Sequence, residues 1–258
     1  MFQFIDLKDE KWFCRQKIAG KTVAKCLANF VKNIGNQESI SLKDIESECE
    51  KIIINNDCTP TFKGYKGFPG SVCLSVNKQL VHGIPSDYKL KSGDVVTLDL
   101  GATFEGAIAD AATTCIYGQP ISKKHTEMIT LCKNALDKAI SSLIMGRRIG
   151  CIGQSIYRQV RNSEFFLIEN YGGHGISYDI PHSDPFIANK SKADDGVFIQ
   201  NGMSIAIEPM LSMKSAKTSL KNDGWTVTTP GINCHEEHSV TIWDDKPYII
   251  TDWKACQE

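Results

Sequence analysis

Four carboxylates and one imidazole stand out by residue type and position: Asp99, Asp110, His174, Glu208 and Glu237. Asp99 ends the apolar run VVTLD, and Asp110 follows eleven positions later in EGAIADAATT. A hairpin of that length can bring two carboxylates side by side, since residues two apart on a strand share a face. An acid within an apolar strand is costly unless its charge is compensated. Two such acids close together repel, and one takes up a proton. A divalent cation between them removes both penalties. His174 lies in YGGHGIS, where glycines let the backbone approach a site closely. Glu208 ends SIAIEP and Glu237 opens EEHSVTI. So oxygen-rich a set suits two hard or borderline divalent ions better than a tetrahedral structural zinc. Two ions ~3.5–4 Å apart can share carboxylates and a hydroxide that is nucleophilic at neutral pH.

Taken singly, each of these residues has a plainer explanation. Asp99 and Asp110 can be strand-end or turn acids, and His174 a hydrogen-bonded core histidine. Glu208 before Pro209 can cap a loop, and Glu237 beside Glu236 can be solvated. Spacing alone does not bring them together.

The elements that must position them follow from periodicity. Residues 7–34 carry Trp12, Ile18, Val23, Leu27 and Val31 at helical intervals. Ser41 with Asp44 makes a capping-box pattern that opens a second helix running to about Asn55. Asp94 to Gly118 reads as two strands joined near Glu105-Gly106, with Val95, Thr97 and Asp99 on one face and Val96, Leu98 and Leu100 on the other. Further helices are expected from Ser122 to about Met145 and over 152–163. Strands return in FFLIENYGGHGIS, MSIAIEPMLS, GWTVTTP and EEHSVTIW. The order HGI, turn glycine, apolar strand, acid occurs twice: His82 to Gly93 to Asp99, and His174 to Gly202 to Glu208. In both copies the acid follows the glycine by six positions, which suggests two similar halves. The expected fold class is α/β (α+β), one compact domain over residues 1–258.

Composition narrows the function classes. The 258 residues carry 29 Lys+Arg against 30 Asp+Glu, a net charge of −1, which argues against broad capture of nucleic acid or an anionic membrane. No run approaches the ~20 apolar residues of a membrane span, and MFQFIDLKDEKWF has no secretory-signal pattern. The ten cysteines form no C-x-x-C pair, as expected for reduced thiols in a cytoplasmic protein.

The segment SVCLSVNKQLVHGIPSDYKLKSGDVVTLDLGATFEGAIADAATT, together with NGMSIAIEPM and EEHSVTI, resembles the methionine aminopeptidases, metallopeptidases of the pita-bread fold. The resemblance runs from about residue 8 to 250. It implies two pseudo-symmetric halves around a dinuclear centre ligated by Asp99, Asp110, His174, Glu208 and Glu237. The interval from His174 to Glu208 is too short for the type II insert, and no zinc-binding extension precedes the first helix, so the chain resembles a minimal type I enzyme.

The same resemblance implies a hydrolase that removes N-terminal methionine from nascent chains with a small second residue. Two divalent ions (Mn, Fe, Co or Zn) would assist it, with docking to the ribosome as a possible context and a monomer as the working form. Glu208 matches the family's proton shuttle, His82 a histidine that contacts the substrate, and His182 one that steadies the tetrahedral oxyanion. Tyr65, Phe68, Cys73 and Trp225, with Phe62, match the wall of the methionine pocket. Three positions depart from the family pattern. The interval from His174 to His182 is eight rather than seven, Lys66 stands where many members carry histidine, and His235 where many carry glutamine. The competing expectations are a prolidase-like or aminopeptidase P-like hydrolase, which usually carries a large extra N-terminal domain, and a catalytically dead binding module, which would lack ligands.

Overall fold

The computed structural model describes residues 5–35 and 39–256. Helix α1 (Glu10–Asn33) begins where the Asp9 carboxylate accepts the Trp12 amide, and it buries Phe13, Val23, Leu27 and Phe30. Helix α2 (Leu42–Ile54) opens on the expected capping box. The Asp44 amide donates to Ser41 Oγ, and the Ser41 amide donates to the Asp44 carboxylate. Helices α3 (Lys123–Ser141) and α4 (Gly150–Val160) follow. α3 stops four residues short of the expected end, because the Ser142 amide and hydroxyl both turn back onto the Ala139 carbonyl. α4 starts two residues early and ends at Val160, where the Ser163 amide closes a turn.

The central hairpin pairs Val95–Phe104 with Ala107–Ile116. Its turn places Glu105 and Gly106 at φ 45° and 81°, the left-handed pair that a tight two-residue hairpin requires. Asp99 faces Ala112 and Asp110 faces Gly101 across the ladder, so the two carboxylates lie on the same face, diagonally displaced. Val96, Leu98 and Leu100 turn the other way and pack with α1 and α2. Cys73–Val76 and Thr59–Pro60 also pair with Val95–Phe104.

A second sheet has the order Lys246–Ile249, His238–Trp243, Ser204–Ile207, Gly172–Ser177, Ile180–Ala188, all antiparallel. Its outer face packs on α3 and α4 through Met128, Cys132, Leu136, Ile152, Ile156, Ile205 and Val240. Each half thus has a helix pair, a sheet and a core of its own, in keeping with the repeated motif. FFLIENYGGHGIS and MSIAIEPMLS each divide into two strands, the second at Pro209. Ile180–Ala188 went unread as a strand because Pro181 and Pro185 interrupt it; it lies at the edge of its sheet, where proline is tolerated.

The halves meet along a hydrogen-bonded seam. The Asp110 amide donates to Ser239 Oγ at 2.9 Å, and the Glu237 amide donates to the Ala112 carbonyl at 2.9 Å. Thr114 Oγ1 accepts the His235 amide and donates to the His235 carbonyl. Glu236 accepts from Thr113 Oγ1 at 2.9 Å and from the Thr114 amide at 3.0 Å. All ten cysteines are free thiols. Among the described residues no helix is long and apolar enough to cross a membrane.

Candidate metal centre

The five donors converge on the inner faces of the two sheets. Asp99 and Asp110 come from the hairpin, and His174 from the middle of Gly172–Ser177. Glu208 follows the end of Ser204–Ile207, and Glu237 precedes His238–Trp243. The glycines around His174 are required by close approach. A Cβ on Gly173 would sit 2.2 Å from the Ala206 carbonyl oxygen, and one on Gly175 2.0 Å from that of Asp184. His174 Nε2 lies 3.7 Å from Asp110 Oδ2, 3.7 Å from Glu208 Oε1 and 4.0 Å from Glu237 Oε1.

All four carboxylates are buried. Burial raises the pKa of Asp99 to about 7, and Glu208 and Asp110 add to the rise against an opposing pull from His235. Burial raises Glu208 to about 8, opposed by His174 and reinforced by Asp110. Glu237 is pushed well up by burial and then by Asp110, Glu208 and Asp99. Asp110 is raised by burial despite His174 and a hydrogen bond from Ser239. Among the described residues no Lys or Arg pairs with any of the four, so the compensating charge is not supplied by the protein. Divalent cations fit this donor set: oxygen-rich, dry and short of positive charge.

The donors open onto a cavity of about 330 Å³, large enough for one side chain and part of a backbone. Phe62, Phe68 and Cys73 form a buried apolar cluster with Trp225 packed against it. Phe68 and Trp225 meet edge to face at 5.2 Å. Cys73 is the cross-strand neighbour of Asp99, so this wall adjoins the carboxylates directly. Asp223 orders the turn that presents Trp225 by accepting the Trp225 and Thr226 amides. His82 lies 6.4 Å from the Trp225 ring, and its backbone holds φ 57°. Burial, then the neighbouring His235, lowers the His82 pKa to about 4, so the ring is neutral at pH 7.

His182 also reaches the cavity. Its ring stacks edge-on to His174 at 4.4 Å and lies 5.6 Å from Tyr65. Two register shifts interrupt the ladder between Gly172–Ser177 and Ile180–Ala188, the strands that carry the two histidines. The His182 pKa is lowered, first by desolvation and then by His174, His82 and Lys66, although its outer face is open to solvent. Lys66 stands on the rim with its Nζ 5.2 Å from the Tyr65 ring centre.

Two parts of the site went unread in the sequence, and a third, His235, was noted there only as a departure from the family pattern. Tyr171, Phe186 and Met210 line the cavity as well. Ser239 anchors Asp110. His235, buried, also faces the carboxylates, with Nε2 3.2 Å from Glu208 Oε2. A signal for His235 existed, because it stands two residues before Glu237 and residues two apart in extended chain share a face.

The model of metallopeptidase family M24 matches residues 15–244. The chain belongs to that family, among its methionine aminopeptidases. It is 38% identical to the methionine aminopeptidase of Mycoplasma capricolum over 249 residues, 96% of this chain and 98% of that protein. It is 36% identical to methionine aminopeptidase 1 of Bacillus subtilis over 235 residues, 90% and 93% of the two chains. The crystal structure of the methionine aminopeptidase from Thermotoga maritima superposes with a TM-score of 0.91 at 34% identity, covering 96% of this chain and 99% of that one. Prolidase from Pyrococcus furiosus shares the pita-bread fold at a TM-score of 0.73 and 18% identity, and this chain covers 65% of it. These methionine aminopeptidases match at least 90% of this chain and 93% of their own lengths, whereas about a third of the prolidase lies outside the match.

Proposed function

We propose that the protein hydrolyses the N-terminal methionine from nascent polypeptides with a small second residue. In this reading Asp99, Asp110, His174, Glu208 and Glu237 hold two divalent ions, and residues 1–258 act as one catalytic unit. The observation that carries the reading is the meeting of these five side chains, contributed by both halves, beside an apolar cavity. When bound, such ions supply Lewis acidity and a nucleophilic water at neutral pH.

The chain's own residues do the rest. Phe62, Phe68, Cys73 and Trp225, with Tyr65, receive the unbranched thioether, whose polarizable sulfur suits aromatic walls. Glu208 accepts a proton from the attacking water and returns it to the leaving amine. His82 is assigned to the substrate's peptide nitrogen. His182 donates to the developing oxyanion, as a positioned neutral imidazole can. Lys66 on the rim is assigned to the leaving side, where a larger second residue would crowd the carboxylates.

The test is metal-dependent release of methionine from Met-Ala-Ser by chelator-treated protein reloaded with manganese, cobalt, iron or zinc. Release with at least one ion, and none from Xaa-Pro dipeptides, is the expected result. Cleavage of the proline substrates alone would overturn the reading in favour of a prolidase.

A further inference from the structure

His235 is a buried polar group of the cavity that neither the five-donor centre nor the proposed reaction uses. It is buried to 2% exposure on the strand Asn233–His235, and neither ring nitrogen has a hydrogen-bond partner. An imidazole left this way loses its hydration without compensation, and such groups call for an explanation. The ring lines the cavity beside the carboxylates.

The carboxylate oxygens divide between two imidazoles. Glu208 turns Oε1 toward His174 Nε2 at 3.7 Å and Oε2 toward His235 Nε2 at 3.2 Å. Glu237 does the same, with Oε1 4.0 Å from His174 Nε2 and Oε2 3.9 Å from His235 Nε2. Two donors held ~2.0–2.1 Å from one ion at angles between a right angle and a straight line lie about 2.9 to 4.1 Å apart. All four spacings fall in that interval. Glu208 and Glu237 therefore each turn one oxygen toward His174 and the other toward His235, and the inner pair already forms a compact donor group with His174. The contact between His235 and Glu208 lacks hydrogen-bond geometry, which argues against a simple donor role for the ring.

We propose that His235 is a sixth ligand, giving the second divalent ion of the pair an imidazole of its own. The inference rests on the dinuclear reading above. Its chemical consequence is a shift in preference. A site of carboxylates alone suits manganese or magnesium, whereas an added imidazole favours iron, cobalt or zinc.

The experiment titrates chelator-treated protein with cobalt(II), followed by calorimetry and visible absorption, in the unaltered chain and in His235→Gln. The expected result is two binding steps in the unaltered protein. In His235→Gln the second step should weaken by at least about tenfold, the low end of what loss of even a supporting partner costs, with the first step unchanged. X-ray absorption should count one imidazole per ion on average in the unaltered two-cobalt protein and one per two ions in His235→Gln; a count that the substitution leaves unchanged would assign the second ring to His182, whose donor atom groups with those of Asp110 and His174, and would overturn the proposal. Two unchanged binding steps in folded His235→Gln, or the lower imidazole count in the unaltered protein, would overturn the assignment while leaving the dinuclear centre intact. A single binding step in the unaltered protein would overturn both.

Discussion

Ser239 and Asp110 are tied through backbone and side chain together. The Asp110 amide donates to Ser239 Oγ at 2.9 Å, and that hydroxyl lies 2.8 Å from Asp110 Oδ1 and 2.7 Å from the Asp110 carbonyl oxygen. One hydroxyl on the second sheet thus fixes the rotamer of a carboxylate on the first. Ser239→Ala removes it from a fully buried position. The expected outcome is a loss of roughly 1–2 kcal/mol in stability and a 10–100-fold loss in metal affinity. Thermal melts and metal titration of the same variant check the two effects separately.

Asp110→Asn should abolish methionine release while the protein stays folded. Asp110 is buried with its pKa raised, so its neutral isostere relieves repulsion with Glu208 and Glu237. The metal-free variant should therefore melt no lower than the unaltered protein at pH 8, yet gain less on addition of manganese. Full activity in this variant would falsify the ligand assignment.

Metal-free protein should lose stability as pH rises. Asp99 and Glu208 have folded-state pKa values of about 7 and about 8, above their ordinary carboxylate values. A raised acid contributes stability that is fully present below its unfolded pKa and is lost as pH climbs through the folded one. The loss is on the order of 1 kcal/mol per pH unit for each such group between those limits. Melting temperatures from pH 7 to 8.5 should fall in chelator and flatten with manganese; below pH 6.5 the buried His82 and His238, with folded values of about 4, pull the other way. The metal increment should be larger at pH 8 than at pH 6, because binding must expel these protons. A metal increment independent of pH would contradict the account.

His182→Ala should reduce kcat more than it raises KM. The ring packs edge-on against His174 at the open side of the cavity and also faces Tyr65 and Phe62 at 5.6 and 6.4 Å. Removing one oxyanion donor costs about 10²–10³ in turnover where that role applies. Unchanged kcat would show that the longer connection takes this residue out of the reaction.

Much of this architecture was legible in the residues. The alternation in VVTLDLG separates Asp99 from Val96, Leu98 and Leu100, and the structure puts them on opposite faces as periodicity requires. Ser41 and Asp44 announce α2 because capping is a local hydrogen-bond exchange. Ile180–Ala188 was hidden for the converse reason: its prolines argue against a strand locally, and only an edge position in the assembled sheet makes room for them. With that strand unread, Phe186 could not be placed in the cavity. Ser239, Thr113 and Thr114 carry no local signal, since hydroxyls are common on strands and their partners lie more than a hundred residues away.

The seam between the hairpin and the second sheet has a final consequence. Asp99 and Asp110 lie on the hairpin strands of the first sheet, His174 lies on a strand of the second, and Glu208 and Glu237 adjoin strands of the second. Under the proposed assignment neither piece of the chain owns a complete donor set, so activity would be a property of their docking. Cutting the polypeptide in the connection after Ile116 should yield two inert fragments, with catalysis returning only on reassociation and the divalent ions acting as the clasp.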